Sequence, residues 1–485
     1  MNSPTLTGRR GARPGAAPRG AGIVLFICCF SLVMTQVDAT AVNVALPTMG
    51  RDLGGGVSAL QWVVDGYVLA LACLGVTGGG LGDRFGRRIV YLVGLAVFTL
   101  ASLACGAAPD LPALIAARVL QGVGASMLMP VTLAIIAHTF ADPAARTRAI
   151  GVWAGSSGVA AAAGPLIGGA LVAAVDWRAI FVLNVPIGAL GLFLTHRYVP
   201  ESRAERPRPF DFVGQTLWIL TTASLTYALI HASSAGWLST PGLLLFGTAA
   251  VAAVSFGVAE TRSRHPLIDP ALYRDRAFVG ASLLAVLFYL AFNGILFIGS
   301  LQLQQLQGLS PMQTGLRLLP APAALALGST AAGRLAPRLG ARPILLSAAA
   351  ALTAGSVLLV LTEQNAGLLP TESAFLLLGA GLGLANPLLT DIAMVAMPPA
   401  RAGVTSATVG TSRQLGAVLG VAVMGSLATV HGPRTGHIAT HTTPALDPRP
   451  GYLAATAAAL TAALLTTWST SRRAAPDATT PAEPT

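Results

Sequence analysis

Gly79-Gly80-Leu81-Gly82-Asp83-Arg84-Phe85-Gly86-Arg87-Arg88 lies between two long apolar runs. Four glycines, one carboxylate and three arginines share these ten positions. Such a stretch turns tightly, brings two helix ends together and keeps its arginines in water. The rest of the chain reads as what this turn connects.

The chain is 54% hydrophobic and 10% charged, with a mean hydropathy of +0.69. A soluble domain carries about a quarter charged residues, so this one cannot cover itself with polar surface. It reads as a membrane protein, with the lipid bilayer as its surroundings. The net charge of +11 raises nucleic acid as a partner. The basic residues, all arginine, are scattered singly between apolar runs, which excludes that class. Cys28, Cys29, Cys73 and Cys105 lie inside apolar runs, with neither metal spacing nor a disulfide framework. No cofactor and no metal is expected, and no GxxxxGK[ST], HExxH or GxSxG motif occurs. ATP hydrolysis and membrane-embedded enzyme chemistry therefore lack their residues.

A bilayer core takes about 20 apolar residues per helix. On that rule spans fall near 22–46, 59–78, 89–108, 111–137, 149–173, 178–198, 212–231 and 240–260. Six more follow near 277–303, 312–332, 343–362, 370–396, 403–430 and 450–470. The first is read as an uncleaved helix, because it is too long for the apolar core of a signal peptide. The thirteenth is diluted by Arg413 and several hydroxyl residues.

Arginine placement sets orientation. With the amino terminus in the cytoplasm, the inside receives Arg9, Arg10, Arg84, Arg87, Arg88, Arg146, Arg148, Arg334, Arg338, Arg342 and Arg472, among others. The outside keeps Arg51, Arg178, Arg434 and Arg449. Both termini are expected in the cytoplasm.

An echo of the opening stretch stands at Gly333-Arg334-Leu335-Ala336-Pro337-Arg338-Leu339-Gly340-Ala341-Arg342, between spans ten and eleven. Gly86 matches Gly340 and Arg88 matches Arg342, whereas Pro337 stands opposite Asp83. The chain is thus expected to be all-α and polytopic, with two six-helix halves and two inserted helices. Its expected divisions are a tail over 1–21, a half over 22–198, an inserted pair with its loops over 199–276, a half over 277–470 and a tail over 471–485. Repeated halves around a central site are the plan of secondary transporters.

Five stretches, in order, resemble the 14-span drug:proton antiporter branch of the major facilitator superfamily. They are the loop at Gly79–Arg88, Asp38-Ala39-Thr40-Ala41-Val42-Asn43-Val44-Ala45-Leu46-Pro47, Arg118-Val119-Leu120-Gln121-Gly122-Val123-Gly124, Gly164-Pro165-Leu166-Ile167-Gly168-Gly169, and Trp177–Phe181 with Asn184–Gly188. Trp62–Leu69 is similar to a group of actinobacterial antibiotic-resistance exporters. The resemblance implies export in exchange for protons, with a hydrophobic or cationic drug or antibiotic as substrate. It also implies a place in the bacterial plasma membrane, and a monomer is expected. A dedicated exporter of one endogenous metabolite or antibiotic is the alternative, and a nutrient symporter a more remote one.

Asp38 lies toward the outer part of the first span. A charge at membrane depth costs about 2.5–3.5 kcal/mol on insertion scales, so it faces a partner or water. Arg118, at a similar depth on the fourth span, is the expected partner. The pair reads either as a structural ion pair or as the proton-coupling site, which the resemblance supports for Arg118. Gln121, at i+3 from Arg118, joins that network. Asp65 reads as a second acidic site for cationic substrates or as a side chain snorkelling to the outer vestibule. Asn293 is a candidate cavity residue, and Gln302, Gln304 and Gln305 line the cavity or mark the outer interface. Arg317 and Arg413 read as structural.

Gly164, Pro165, Gly168 and Gly169 read as ordinary membrane packing or as a bendable seam; the resemblance ties this motif to export. Gly79, Asp83, Arg84, Gly86, Arg87 and Arg88 are expected to form a conformational gate. In it Asp83 would be stabilised by a helix N-terminus while the arginines bridge to neighbouring helix ends.

Overall fold

The computed structural model describes residues 20–204, 211–235, 239–264, 266–268, 270–362, 368–395, 402–430 and 445–470. The expected tails, apart from Gly20 and Ala21, lie outside these residues. The helices are α1 (Ala21–Leu53), α2 (Val57–Phe85), α3 (Arg87–Gly106), α4 (Leu111–Thr139), α5 (Pro143–Ala174), α6 (Arg178–Tyr198), α7 (Phe212–Ala235) and α8 (Thr240–Arg262). They continue with α9 (Arg276–Leu301), α10 (Pro311–Leu318), α11 (Pro320–Leu339), α12 (Ala341–Leu361), α13 (Leu368–Val395), α14 (Ala402–Leu427) and α15 (Arg449–Thr470).

Local chemistry starts these helices where it should. Asp110, Asp142, Ser239 and Ser310 each accept a hydrogen bond from a backbone N–H of the first turn, and each is followed within two residues by proline. The side chain satisfies a donor the helix leaves free, and proline has no N–H to satisfy. Asp275 does the same for α9, accepting from Ala277 and Phe278.

Among the described residues, twelve helices are long and apolar enough to cross a membrane. The α10–α11 pair and α14 are more polar yet pack within the bundle, which brings the spans to fourteen. The tenth span is not the single helix expected over 312–332. It breaks at Leu319, where the backbone keeps helical angles (φ −54°, ψ −36°) but Pro320 has no N–H to donate to the preceding turn, and it then runs on to Leu339. The ninth continues past Leu301 through a π-helical turn, Gln302–Leu306. A two-residue ribbon, Thr429–Val430 against Ala445–Leu446, joins the end of α14 to the start of α15.

Helices α1–α6 pack on one another, as do α9–α15. Hydrogen bonds between these two groups, among the described residues, sit at the end of the bundle away from the Gly79–Arg88 loop. Gln61 Nε2 donates to the carbonyls of Val421 and Ala422, both at 2.9 Å. Ser300 Oγ donates to Asn43 O at 2.5 Å, and Gln304 Nε2 to Val44 O at 2.7 Å. Gln304 thus lies on an inter-half seam, whereas Gln302 accepts from Tyr452 of α15 within the second half.

Helix α7 lies across the edge where the halves meet. Its Gln215 donates to Cys73 O at 2.7 Å and accepts from Thr77, Thr222 Oγ1 lies 2.9 Å from Cys73 Sγ, and Tyr227 packs on Trp62. These contacts follow α2 of the first half, while Leu229 O accepts from Ser426 of α14 at 2.7 Å. Helix α8 lies outermost, with 11% of its most apolar window buried.

Candidate functional site

The first half encloses one dense polar cluster. Asp38 of α1 is 1% exposed and Arg118 of α4 is also 1% exposed. Arg118 Nη1 donates to Asp38 Oδ2 at 2.6 Å. The other carboxylate oxygen, Oδ1, accepts from Gln121 Nε2 at 2.9 Å and from Asn184 Nδ2 of α6 at 2.8 Å. Ser102 Oγ of α3 completes the ring, accepting from Gln121 at 2.7 Å and from Asn184 at 3.3 Å. Three helices therefore meet on one carboxylate, and Ser102 joins α3 to them through the two amides.

Arg118 does not depend on Asp38 alone. Its Nε donates to Val63 O at 3.0 Å, and Nη1 also reaches Gln121 Oε1 at 2.7 Å. The guanidinium carbon sits 4.3 Å from the Tyr67 ring centroid, a distance suited to a cation–π contact. A guanidinium offers five donors in a fixed plane, which is how one side chain serves a carboxylate, an amide, a carbonyl and a ring together. Burying two charges is costly unless pairing and further hydrogen bonds compensate; here both compensations are present.

Asp38, Arg118 and Gln121 come together as expected. Asn184, Ser102 and Tyr67 were not anticipated. Asn184 had a signal, as a lone amide inside the apolar run of α6. Ser102 and Tyr67 had none, since both residue types are ordinary within membrane helices.

Asp65 is fully buried, and neither carboxylate oxygen has a hydrogen-bond partner. The snorkelling alternative falls, because α7 and α14 cover the α2 surface around it. One turn earlier, Gln61 is tied to α14, and three residues earlier Trp62 packs on α7. Gln61 Oε1 and, on α7, Thr226 Oγ1 are likewise buried and unpartnered. Asn293 is partly buried and donates to Tyr289 O at 3.0 Å. Nearby, Arg413 Nη2 donates to Asn386 O at 2.9 Å and to Thr390, the helix-carbonyl pairing of a structural arginine. Arg317 lies 4.0 Å from Glu372.

In the glycine–arginine loop the chain turns at Gly86, with φ 111°, and in its echo at Gly340, with φ 78°. Both are left-handed values that favour glycine. Asp83 does not serve a helix N-terminus. It stands at the end of α2 and pairs with Arg87, one turn on, at 3.0 Å. The N-terminus of α3 is served instead by Glu201, which accepts from Arg88 N at 3.1 Å and Ile89 N at 3.3 Å. The backbone adds Arg87 N to Ser202 O at 2.8 Å and Ala204 N to Asp83 O at 3.1 Å. Arg88 Nη2 donates to His196 O at 2.5 Å, at the end of α6. The segment after α6 thus clasps the loop, a long-range arrangement with no local sequence signal.

On α5, Gly164 and Gly168 lie against Thr40 and Ala41 of α1, and Gly169 against Pro311 and Met312 at the start of α10. Gly315 of α10 lies against Pro165 O. A methyl group at any of the four would come closer than 3.0 Å to its neighbour. The motif is therefore the contact surface between α5 and two helices, one from each half.

Two helical halves with an inserted pair, the first half enclosing a buried acid–arginine cluster, define the architecture of a secondary transporter. The chain belongs to the major facilitator superfamily, whose family model, described as Major Facilitator Superfamily, matches residues 28–421. It is 38% identical over 405 residues to multidrug resistance protein Stp of Mycobacterium tuberculosis, covering 84% of this chain and 75% of that protein. It is 35% identical over 423 residues to the methylenomycin A resistance protein of Streptomyces coelicolor, covering 86% and 88%. Among solved structures, the POT family transporter PepTSo matches with a TM-score of 0.67 at 15% identity, covering 94% of this chain and 99% of that one. That likeness carries the fold. The protein is a multi-pass membrane transporter, not an enzyme.

Proposed function

We propose that this protein exports drugs or antibiotics across the bacterial plasma membrane in exchange for protons, with Asp38 as the proton carrier. The observation that carries the reading is the burial of Asp38 among Arg118, Gln121 and Asn184. Relatives named for resistance to drugs and antibiotics support the substrate class.

A proton on Asp38 removes the charge that Arg118 Nη1 and two amides address. Arg118 keeps Val63 O, Gln121 and the Tyr67 ring, so it stays in place. Asn184 and Gln121 lose an ionic acceptor, and their helices, α6 and α4, gain freedom relative to α1. Protonation thereby loosens the first half, and deprotonation tightens it. The positive-inside rule assigns the arginine-rich loop to the cytoplasm. An exporter takes up its substrate from that side, with the proton released and the ion pair formed.

In this reading the halves over 22–198 and 277–470 rock about the seam that Gly164, Pro165, Gly168 and Gly169 share with α1 and α10. The 199–276 segment carries the inserted pair. Gly79, Asp83, Arg84, Gly86, Arg87 and Arg88 act as the gate, the protein works as a monomer, and Asp65 and Asn293 contribute polar groups to the path. Proton movement in inverted vesicles on addition of a drug tests it: wild type exchanges, and Asp38→Asn inserts normally but does not. Full drug-driven exchange in Asp38→Asn overturns the carrier assignment.

A further inference from the structure

Outside the Asp38 cluster, two other carboxyl groups meet at the loop end of the inserted pair. Asp211 caps α7: Oδ1 accepts from Gly214 N at 2.7 Å, and its carbonyl from Gln215 N at 2.9 Å. Glu260, in the last turn of α8, is 4% exposed, and Oε2 accepts from Ile268 N at 2.8 Å. The two remaining oxygens, Asp211 Oδ2 and Glu260 Oε1, are buried with no hydrogen-bond partner. A methyl group at Gly214 would lie 2.9 Å from the first and 2.3 Å from the second. They face each other across the space that a side chain at 214 would fill.

Among the described residues, no ion pair joins either carboxyl to a cation. Tyr273, in the turn before α9, is the other titratable group facing Glu260. Burial, and then the Glu260 charge, push its phenol up, so it is neutral and supplies no cation. Two carboxylate oxygens buried around one Gly214 methyl position disfavour a charge on both groups. Gly214 N–H, at the α7 N-terminus, uses Asp211 as an acceptor, so the proton is placed on Glu260.

We propose that Asp211 and Glu260 hold one proton between them, with Glu260 Oε1–H donating to Asp211 Oδ2, as a proton-dependent clasp on the inserted pair. The clasp's position gives it leverage. Residues 199–211 lead from the first half into α7, and 263–275 lead from α8 into the second half. Asp211 ends the first connection, and Ile268 ties the second to Glu260. Loss of the proton sets two anions against each other, and the ends of α7 and α8 part. Helix α7 covers the α2–α14 edge, so the state of the clasp reaches the seam between the halves.

The test needs no substrate and so stands apart from the transport reading. The full chain in lipid is followed by infrared spectroscopy as pH is raised from mildly acid to mildly alkaline. A protonated-carboxyl band is expected in wild type, fading as pH rises and missing from both Glu260→Gln and Asp211→Asn, whose amides supply the donor permanently. Hydrogen exchange over 211–215 and 266–268, corrected for its intrinsic pH dependence, should rise with pH in wild type and stay flat in both variants. A spectrum unchanged by either substitution overturns the proposal. So does exchange that still rises in the variants. If one variant fails to insert, the other decides alone.

Discussion

Asp38 Oδ2 and Arg118 Nη1 are 2.6 Å apart, with side-chain exposures of 0% and 1%. Such a contact between α1 and α4 is stable only while both partners are present. Removing Arg118 strands a charge that water cannot reach. Arg118→Ala should therefore cost about 3–5 kcal/mol of stability, read as a lower unfolding midpoint in detergent. Arg118→Lys should recover little of it, because an ammonium cannot meet Asp38, Gln121 and Val63 O in one plane. Stability restored fully by lysine would show that charge alone matters.

Asp38→Asn keeps the size and one acceptor and removes the ionisable group. Expected is normal insertion with proton exchange lost, measured by proton movement in inverted vesicles. Folding should suffer less than in Arg118→Ala, since Arg118 retains three other contacts.

Asn184→Ala takes one of two donors from Asp38 Oδ1 and leaves Ser102 with Gln121 alone. The loss of a buried hydrogen bond to a charged group predicts about 1.5–3 kcal/mol of destabilisation. A double-mutant cycle with Gln121→Ala should be non-additive, because both amides serve the same oxygen. Additivity there would mean that the two amides act independently.

Gly86→Ala and Gly340→Ala separate backbone strain from crowding. Both positions hold positive φ, so each substitution carries strain of about 1–2 kcal/mol. A methyl group at 86 would also fall 2.6 Å from Glu201 Oε1, whereas nothing lies within 4 Å at 340. Gly86→Ala should lower the unfolding midpoint more than Gly340→Ala; equal effects would remove Glu201 from the account.

Glu201→Gln and Asp83→Asn test the gate. Glu201→Gln weakens the two backbone bonds that anchor the segment after α6 to α3, and should raise hydrogen exchange over 87–90 and 199–204. Asp83→Asn breaks the Arg87 pair, which is exposed enough to contribute about 1 kcal/mol or less. It should slow transport while leaving substrate binding largely intact. Lost binding in a soundly folded Asp83→Asn protein would exclude a gating role.

Much of this was legible in the chain because membrane insertion enforces it locally. Apolar runs of span length, the helix-starting Asp–Pro and Ser–Pro pairs, and the matched glycines Gly86 and Gly340 depend on nearby residues alone. The break at Leu319 was equally local, marked by Pro320, but hydropathy averages over it. Asp38, Arg118 and Gln121 could be named because charge and amide groups are rare at membrane depth, and a rare group needs a partner.

The sequence by itself determined the membrane spans, the repeated loop and the acid that must be paired, since each follows from the cost of placing a group in lipid. Tertiary structure decided the partners. It placed Asn184 and Ser102 beside Asp38, gave the α3 N-terminus to Glu201 rather than Asp83, laid α7 over the α2–α14 edge and set Asp211 against Glu260. Those pairings join residues far apart in the chain, and which helix faces which is fixed by packing: glycines such as Gly168 and Gly315 let backbones approach where a single added methyl would not fit.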